Sequence, residues 1–315
     1  MKKAFDVIVV GELNIDLILN QLDSFPQIGT EKLAGEMSLT LGSSAAIFAS
    51  NLSALGMQVA FVAKAGNDIF GRFCIDSLQG KGVDTSMIIR SDDLQTGATI
   101  VLNFGDDRAM VTHQGAMGHL GPGDITKGML QKARHLHFSS YFLQPGFTGR
   151  LEPLFRLAKE AGLTTSLDVQ WDPAERWDLD LCSLLPHVDI FLPNEAELLH
   201  LTRQDSIDKA LASIAKDSHM VLVKRGRQGS LLHYNNRTSP GAAYLNDKVV
   251  DAIGAGDSFN AGFIFKFLQD SPAEECQQFG NAMGAVSTTA AGGTTAFTHY
   301  EEILNIAKKE FGYEQ

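Results

Sequence analysis

The chain has little cysteine. Cys74, Cys182 and Cys276 lie far apart in 315 residues. They supply neither a disulfide framework nor zinc-ligand spacing, and they point to a reducing, cytoplasmic setting. Long apolar runs are missing as well. The basic start Met1-Lys2-Lys3 leads into Val7-Ile8-Val9-Val10, too short for a secretory or membrane-spanning segment. Positive charge is in deficit: 26 Lys and Arg face 37 Asp and Glu, a net −11. That balance argues against nucleic-acid or anionic-membrane partners. Clear repeats and low-complexity tracts are absent. So is a Gly-x-x-x-x-Gly-Lys-Ser/Thr phosphate loop, and Phe259 stands where a dinucleotide fingerprint would need its third glycine.

What is present is an ordinary globular composition, 44% hydrophobic, with a conspicuous stretch near the C-terminus. Gly254, Ala255 and Gly256 precede Asp257, and a helical pattern follows at once. Small residues at a helix start let backbone N–H groups converge on an anion. Asp257 is then either a helix cap or a base that takes a proton from a hydroxyl attacking a phosphoryl group.

Asp251-Ala252-Ile253-Gly254-Ala255-Gly256-Asp257 resembles the signature of the ribokinase-like (PfkB) carbohydrate kinases, Asp-Thr-Thr-Gly-Ala-Gly-Asp. Ala252 and Ile253 replace the two threonines. Further landmarks occur in order along nearly the whole chain. The resemblance implies an α/β fold: a three-layer α/β/α core on a mostly parallel sheet, with a small β-sheet lid. A single domain over residues 1–315 is expected, its lid formed by about 12–40 and 95–116. Strand-like runs at 98–104 and 109–112 around Gly105-Asp106 read as a lid hairpin. The alternation of strands and helices after Gly121 predicts the parallel sheet, with ligands at its C-terminal edge.

The resemblance also implies roles. Asp257 would be the catalytic base, with Gly254, Ala255 and Gly256 as the anion hole. Asp16 would bind sugar hydroxyls, with Asn14 beside it. Gly42 matches a glycine pair near the sugar. Ser43 replaces the second glycine and Ile47 the usual asparagine, so Ser43 or Ser44 would supply the missing contact. Asn51, one turn further on, reads as solvated or capping.

Asp168-Val169-Gln170-Trp171-Asp172-Pro173 aligns with Asp-x-Asn-x-Arg-Pro. Gln170 and Asp172 are substrate candidates. A carboxylate at 172 would suit a neutral polyhydroxy acceptor, although Asp before Pro also opens turns. Asn194 and Glu197 match a segment linked to phosphate and Mg2+, with Glu197 acting through water; a helix start rich in acids is the competing account. Lys224, Gly226 and Gly229 are expected near the nucleotide, or simply in a hairpin. Asn281 is expected at adenine, on a helix whose small residues close packing would also explain. Asp251 and the Ile253 carbonyl are candidates for a monovalent cation such as K+. His135 and His137 share a strand face without a third ligand and read as structural.

The expected function is ATP-dependent phosphorylation of a neutral sugar, with ATP and Mg2+ as cofactors and a homodimer through the lid. A nucleoside kinase on the same fold is the alternative. A non-catalytic sugar-binding regulator is the alternative of another class.

Overall fold

The computed structural model describes residues 3–104 and 107–314, so Met1, Lys2, Gly105, Asp106 and Gln315 lie outside the described residues. Fourteen strands occur among these. In chain order they are β1 Phe5–Val10, β2 Asn14–Asn20, β3 Glu36–Leu41, β4 Val59–Val62, β5 Lys64–Gly66, β6 Ile89–Ser91 and β7 Gly97–Phe104. Then follow β8 Asp107–His113, β9 Ala133–Ser139, β10 Thr164–Asp168, β11 Ile190–Phe191, β12 Met220–Lys224, β13 Ser230–Tyr234 and β14 Arg237–Gly241.

Eight of them form one sheet in the order β14-β13-β12-β11-β10-β9-β1-β4. All pairs are parallel except those made by the terminal hairpin β13–β14. The apolar run Val7 to Val10 is continuous because β1 is covered on both faces. Val7 and Val9 enter one core, with helices Ser44–Ala54, Ala255–Phe267 and Ala273–Ser287. Ile8 and Val10 enter the other, with helices Leu151–Glu160 and Ile207–Ile214. The result is three layers. His135 and His137 are buried in β9, hydrogen-bonded to Thr164 and Ser166, and burial holds both neutral.

β2 leaves the core directly at Asn14 and joins a second sheet, β3-β2-β7-β8. Its register sets Thr40, Asp16, Thr99 and Thr112 side by side across four strands. Paired residues share a face, so this row is polar, with the apolar row Ile18, Val101 and Met110 next to it on the same face. The opposite face carries the row Leu39, Leu17, Ile100 and Val111. This lid stands over the C-terminal ends of β1, β10 and β12.

Candidate active site

Between lid and core lies a cavity of about 1640 Å³. The signature loop forms its floor. Gly254 sits at φ 73, in the left-handed region, and caps the helix Ala255–Phe267. The Ser258 N–H donates to the Gly254 carbonyl at 2.8 Å. The amides of Gly256 and Asp257 lie two and one residues earlier in that first turn, with no helical carbonyl to donate to. Lys224, at the end of β12, lies beside Gly256 and adds a cation to this anion hole. Burial works against the Lys224 charge, but the Asp168 and Glu197 carboxylates outweigh it and hold its pKa above the ordinary lysine value.

Asp257 is 6% exposed and lines the cavity. Burial and the Asp168 charge push its pKa well above the carboxylate range, with Glu12 adding to the effect and Lys224 and Ser44 opposing it. Its carboxylate Oδ1 accepts from Gln170 Nε2 at 3.1 Å. It is therefore turned to the cleft, and the helix cap is Gly254 rather than Asp257.

At the lid end, Asn14 Nδ2 donates to Asp16 Oδ1 at 3.0 Å and lies 3.3 Å from Thr99 Oγ1. Gly42 abuts both side chains, and a Cβ there would strike Asp16 and Asn14. Burial raises the Asp16 pKa to about 6, against the hydrogen bonds from Asn14 and Thr99. Ser43, at φ 71, caps its helix through the Ala46 N–H and donates to the Glu12 carbonyl at 2.6 Å. Ser44 lines the cavity. Ile47 packs against Gly254 and Gly293, so an apolar wedge braces the signature loop where relatives place an amide.

Asn194 and Glu197 form a reciprocal capping box, each receiving the other's backbone N–H at 2.8 Å. Both line the cavity. Burial and the Asp168 charge raise the Glu197 pKa to about 7. No group of three or more His, Cys, Asp or Glu able to enclose a metal occurs among the described residues. A magnesium ion held mainly by nucleotide phosphates and water, with Glu197 in its outer sphere, fits that arrangement.

Two expectations need correction, those for Asp172 and Asn51. Asp172 does not face the acceptor. Its carboxylate accepts from the N–H groups of Ala174, Arg176 and Trp177 at 2.7–2.8 Å and folds its own loop. Asn281 does not reach the cavity; its amide donates to Ser230 Oγ at 2.9 Å. The small residues around it permit close packing, with Gly280 against Phe259 and Gly284 against Ala255. Gly226 and Gly229 shape the β12–β13 hairpin and likewise lie outside the cavity lining. Asn51 is neither solvated nor a cap: it is buried and donates to Ser258 Oγ and the Gly293 carbonyl, each at 2.9 Å.

Asp251 joins the signature loop to the loop after the Ala273–Ser287 helix. Its carboxylate accepts from the Ile253 and Gly292 N–H groups at 2.9 Å. Sequence reasoning missed Glu12, Thr99 and Asp168. Of these, Glu12 stands two residues before Asn14 in the same link from the first strand, Thr99 could have been sought on the strand that pairs with the Asn14 strand, and Asp168 stood in a recognised motif.

Comparison with known proteins gives the same architecture. An uncharacterized sugar kinase of Archaeoglobus fulgidus is 30% identical over 234 residues, covering 74% of this chain and 92% of that protein. An ATP-dependent ribose-1-phosphate kinase of Halopiger xanaduensis is 28% identical over 298 residues, covering 93% and 95%. The structure of Arabidopsis thaliana ribokinase complexed with ribose and ATP superposes with a TM-score of 0.84 at 24% identity, covering 97% of this chain and 99% of that one. Residues 4–299 match the profile of the pfkB family carbohydrate kinases, and with that match the chain belongs to this family of phosphotransferases, whose acceptor is an alcohol.

Proposed function

We propose that the cleft transfers the γ-phosphoryl group of ATP to a hydroxyl of a neutral sugar. The observation that carries this reading is Asp257 in the cleft beside the free amides of its own helix turn, with Lys224 alongside. Asp257 takes the proton of the acceptor hydroxyl. The hydroxyl oxygen bonds to the γ-phosphorus as the bond to the ADP oxygen breaks. Backbone N–H groups of residues 254–257 and the Lys224 ammonium meet the charge on the equatorial oxygens. The lid face of Thr40, Asp16, Thr99 and Thr112 orients the acceptor and keeps water out. Bound with ATP, magnesium supplies charge neutralisation at the phosphates, with Glu197 and Asn194 on its side of the cleft.

The neutral character of the acceptor rests on Asp16, Asn14 and Thr99, a set suited to hydroxyls, and no longer on Asp172. A nucleoside is the second reading, favoured by Ile47 and the half-exposed Trp171 on the cavity wall, which offer apolar surface to a base. Asp251, beside the Ile253 turn, is the proposed carboxylate for a monovalent cation. The apolar outer face of the lid, with Met37 and Val111 each 69% exposed, supports a homodimer formed through it. The three free cysteines and the absence of a helix apolar enough to cross a membrane among the described residues accord with a cytoplasmic setting.

The test is Asp257→Asn. A general base is worth about 10²–10⁴-fold in rate, so kcat should fall by that factor while binding of ATP and acceptor by calorimetry stays near wild type. Retained turnover across a panel of ribose, fructose, inositol and adenosine would remove the assignment.

A further inference from the structure

Three residues in eight, Gln170, Glu175 and Trp177, hold φ between 51 and 59 without being glycine. L-residues avoid this region, and clustered exceptions persist only where surrounding structure imposes them. Here the imposing group is identifiable. Asp172 is buried and accepts three backbone N–H groups, and its carbonyl accepts a fourth from Glu175 at 3.0 Å. At the far end Trp177 stacks on His200, 4.8 Å between ring centroids and 6° from parallel. His200 stands on the helix that carries Glu197. The loop is thus clamped at both ends.

Its first residue reaches the reaction centre. Gln170 Nε2 donates to Asp168 Oδ2 at 3.0 Å and to Asp257 Oδ1 at 3.1 Å. Both hydrogens of the amide are spent on carboxylates. Asp168 is held besides by Lys224 Nζ at 2.8 Å and Asn260 Nδ2 at 2.5 Å, so it is the fixed end of the bridge. Asp257, on its helix, is the end that needs holding. We infer that Gln170 is a positioning residue, which sets the Asp257 carboxylate against Asp168 so that its other oxygen meets the acceptor hydroxyl, and that the Asp172 loop exists to keep it there. An amide suits the task because it donates without charge. A lysine or arginine in its place would hold Asp257 ionised too firmly to accept a proton.

This inference rests on Asp257 being the base. The groups that face Asp257 are Asp168 from β10, Lys224 from β12, Glu12 after β1 and the Ser44 hydroxyl. Gln170→Leu deletes the donor at similar bulk. The expected results are a kcat lowered about 10–100-fold, the order of a lost charge-assisted bond at the reacting group, and a KM for ATP within twofold. A hydrogen bond to the ionised form favours that form. Its loss therefore moves the acid limb of the kcat–pH profile to higher pH, a shift that a purely structural role would not produce. The shift should persist in a Glu12→Gln background, which assigns the limb to Asp257. Asp172→Asn should move the limb the same way, and the double variant should be no worse than the worse single one. An unmoved limb in folded Gln170→Leu, or a shift that vanishes with Glu12→Gln, overturns the inference. Full activity of Asp257→Asn would instead overturn the catalytic reading itself, so the two failures are distinguishable.

Discussion

Glu12 shows how burial gives a residue a property that its sequence neighbours do not announce. It stands two residues past the first strand, is 1% exposed, and accepts from the Ala45 N–H at 3.4 Å on one oxygen. Its other oxygen has no partner. Burial raises its pKa from the ordinary glutamate value to about 7. The folded state therefore holds this proton more tightly than the unfolded chain. Its stabilising contribution is complete below the unfolded value and is lost as pH rises toward 7, on the order of 3 kcal/mol at most. Glu12→Gln should flatten that part of the stability–pH curve between pH 5 and 8, measured by urea denaturation at each pH. An unchanged slope would mean that Glu12 ionises freely in the fold. The family resemblance, not residue identity alone, pointed Asp257, Asp16 and Asn14 at the cleft that they line. Residue identity misjudged Asp172 and Asn51, because which atom a polar side chain bonds depends on what the fold brings to it: three amides of its own loop for Asp172, and Ser258 with the Gly293 carbonyl for Asn51.

Among the elements, the helices Ser44–Ala54 and Ala255–Phe267 meet through one buried amide. Asn51 reaches Ser258 Oγ and the Gly293 carbonyl, and Ser258 Oγ in turn donates to the Gly254 carbonyl at 2.7 Å. The signature turn is thereby tied to the helix that carries Ser43 and Ser44. Asn51→Ala leaves two buried acceptors without their donor, which costs about 1–3 kcal/mol. A lowered urea midpoint with unchanged m-value is expected; an unchanged midpoint would show that water replaces the amide. Strands and helices were legible where periodicity was strong. The strand-like runs expected at 98–104 and 109–112 lie within two residues of β7 and β8. The helix Ala273–Ser287 begins directly after Pro272, which stands at its N-cap. Within the stretch 12–40, β2 pairs from its first residue, Asn14, with Gly97.

Over the whole molecule, the lid is a two-faced sheet: hydroxyls and a carboxylate toward the cleft, leucines, isoleucine and valine away from it. Such an outer face calls for a cover, and a second copy of the chain is the proposed one. Val111→Glu should convert a dimer to a monomer in analytical ultracentrifugation without unfolding it, because Val111 is 69% exposed in the single chain. A wild-type chain that sediments as a monomer would dismiss the dimer. By itself the sequence determined the layer architecture, through strands apolar on both faces alternating with amphipathic helices, and it set the proposed base beside the proposed anion hole, because those lie within four consecutive residues. Only the tertiary structure decided which polar groups share the cleft. Glu12, Thr99, Gln170, Lys224 and Asp257 come from five separate elements, and their hydrogen bonds and raised pKa values arise from burial together, a property of the assembled fold that no local stretch of chain contains.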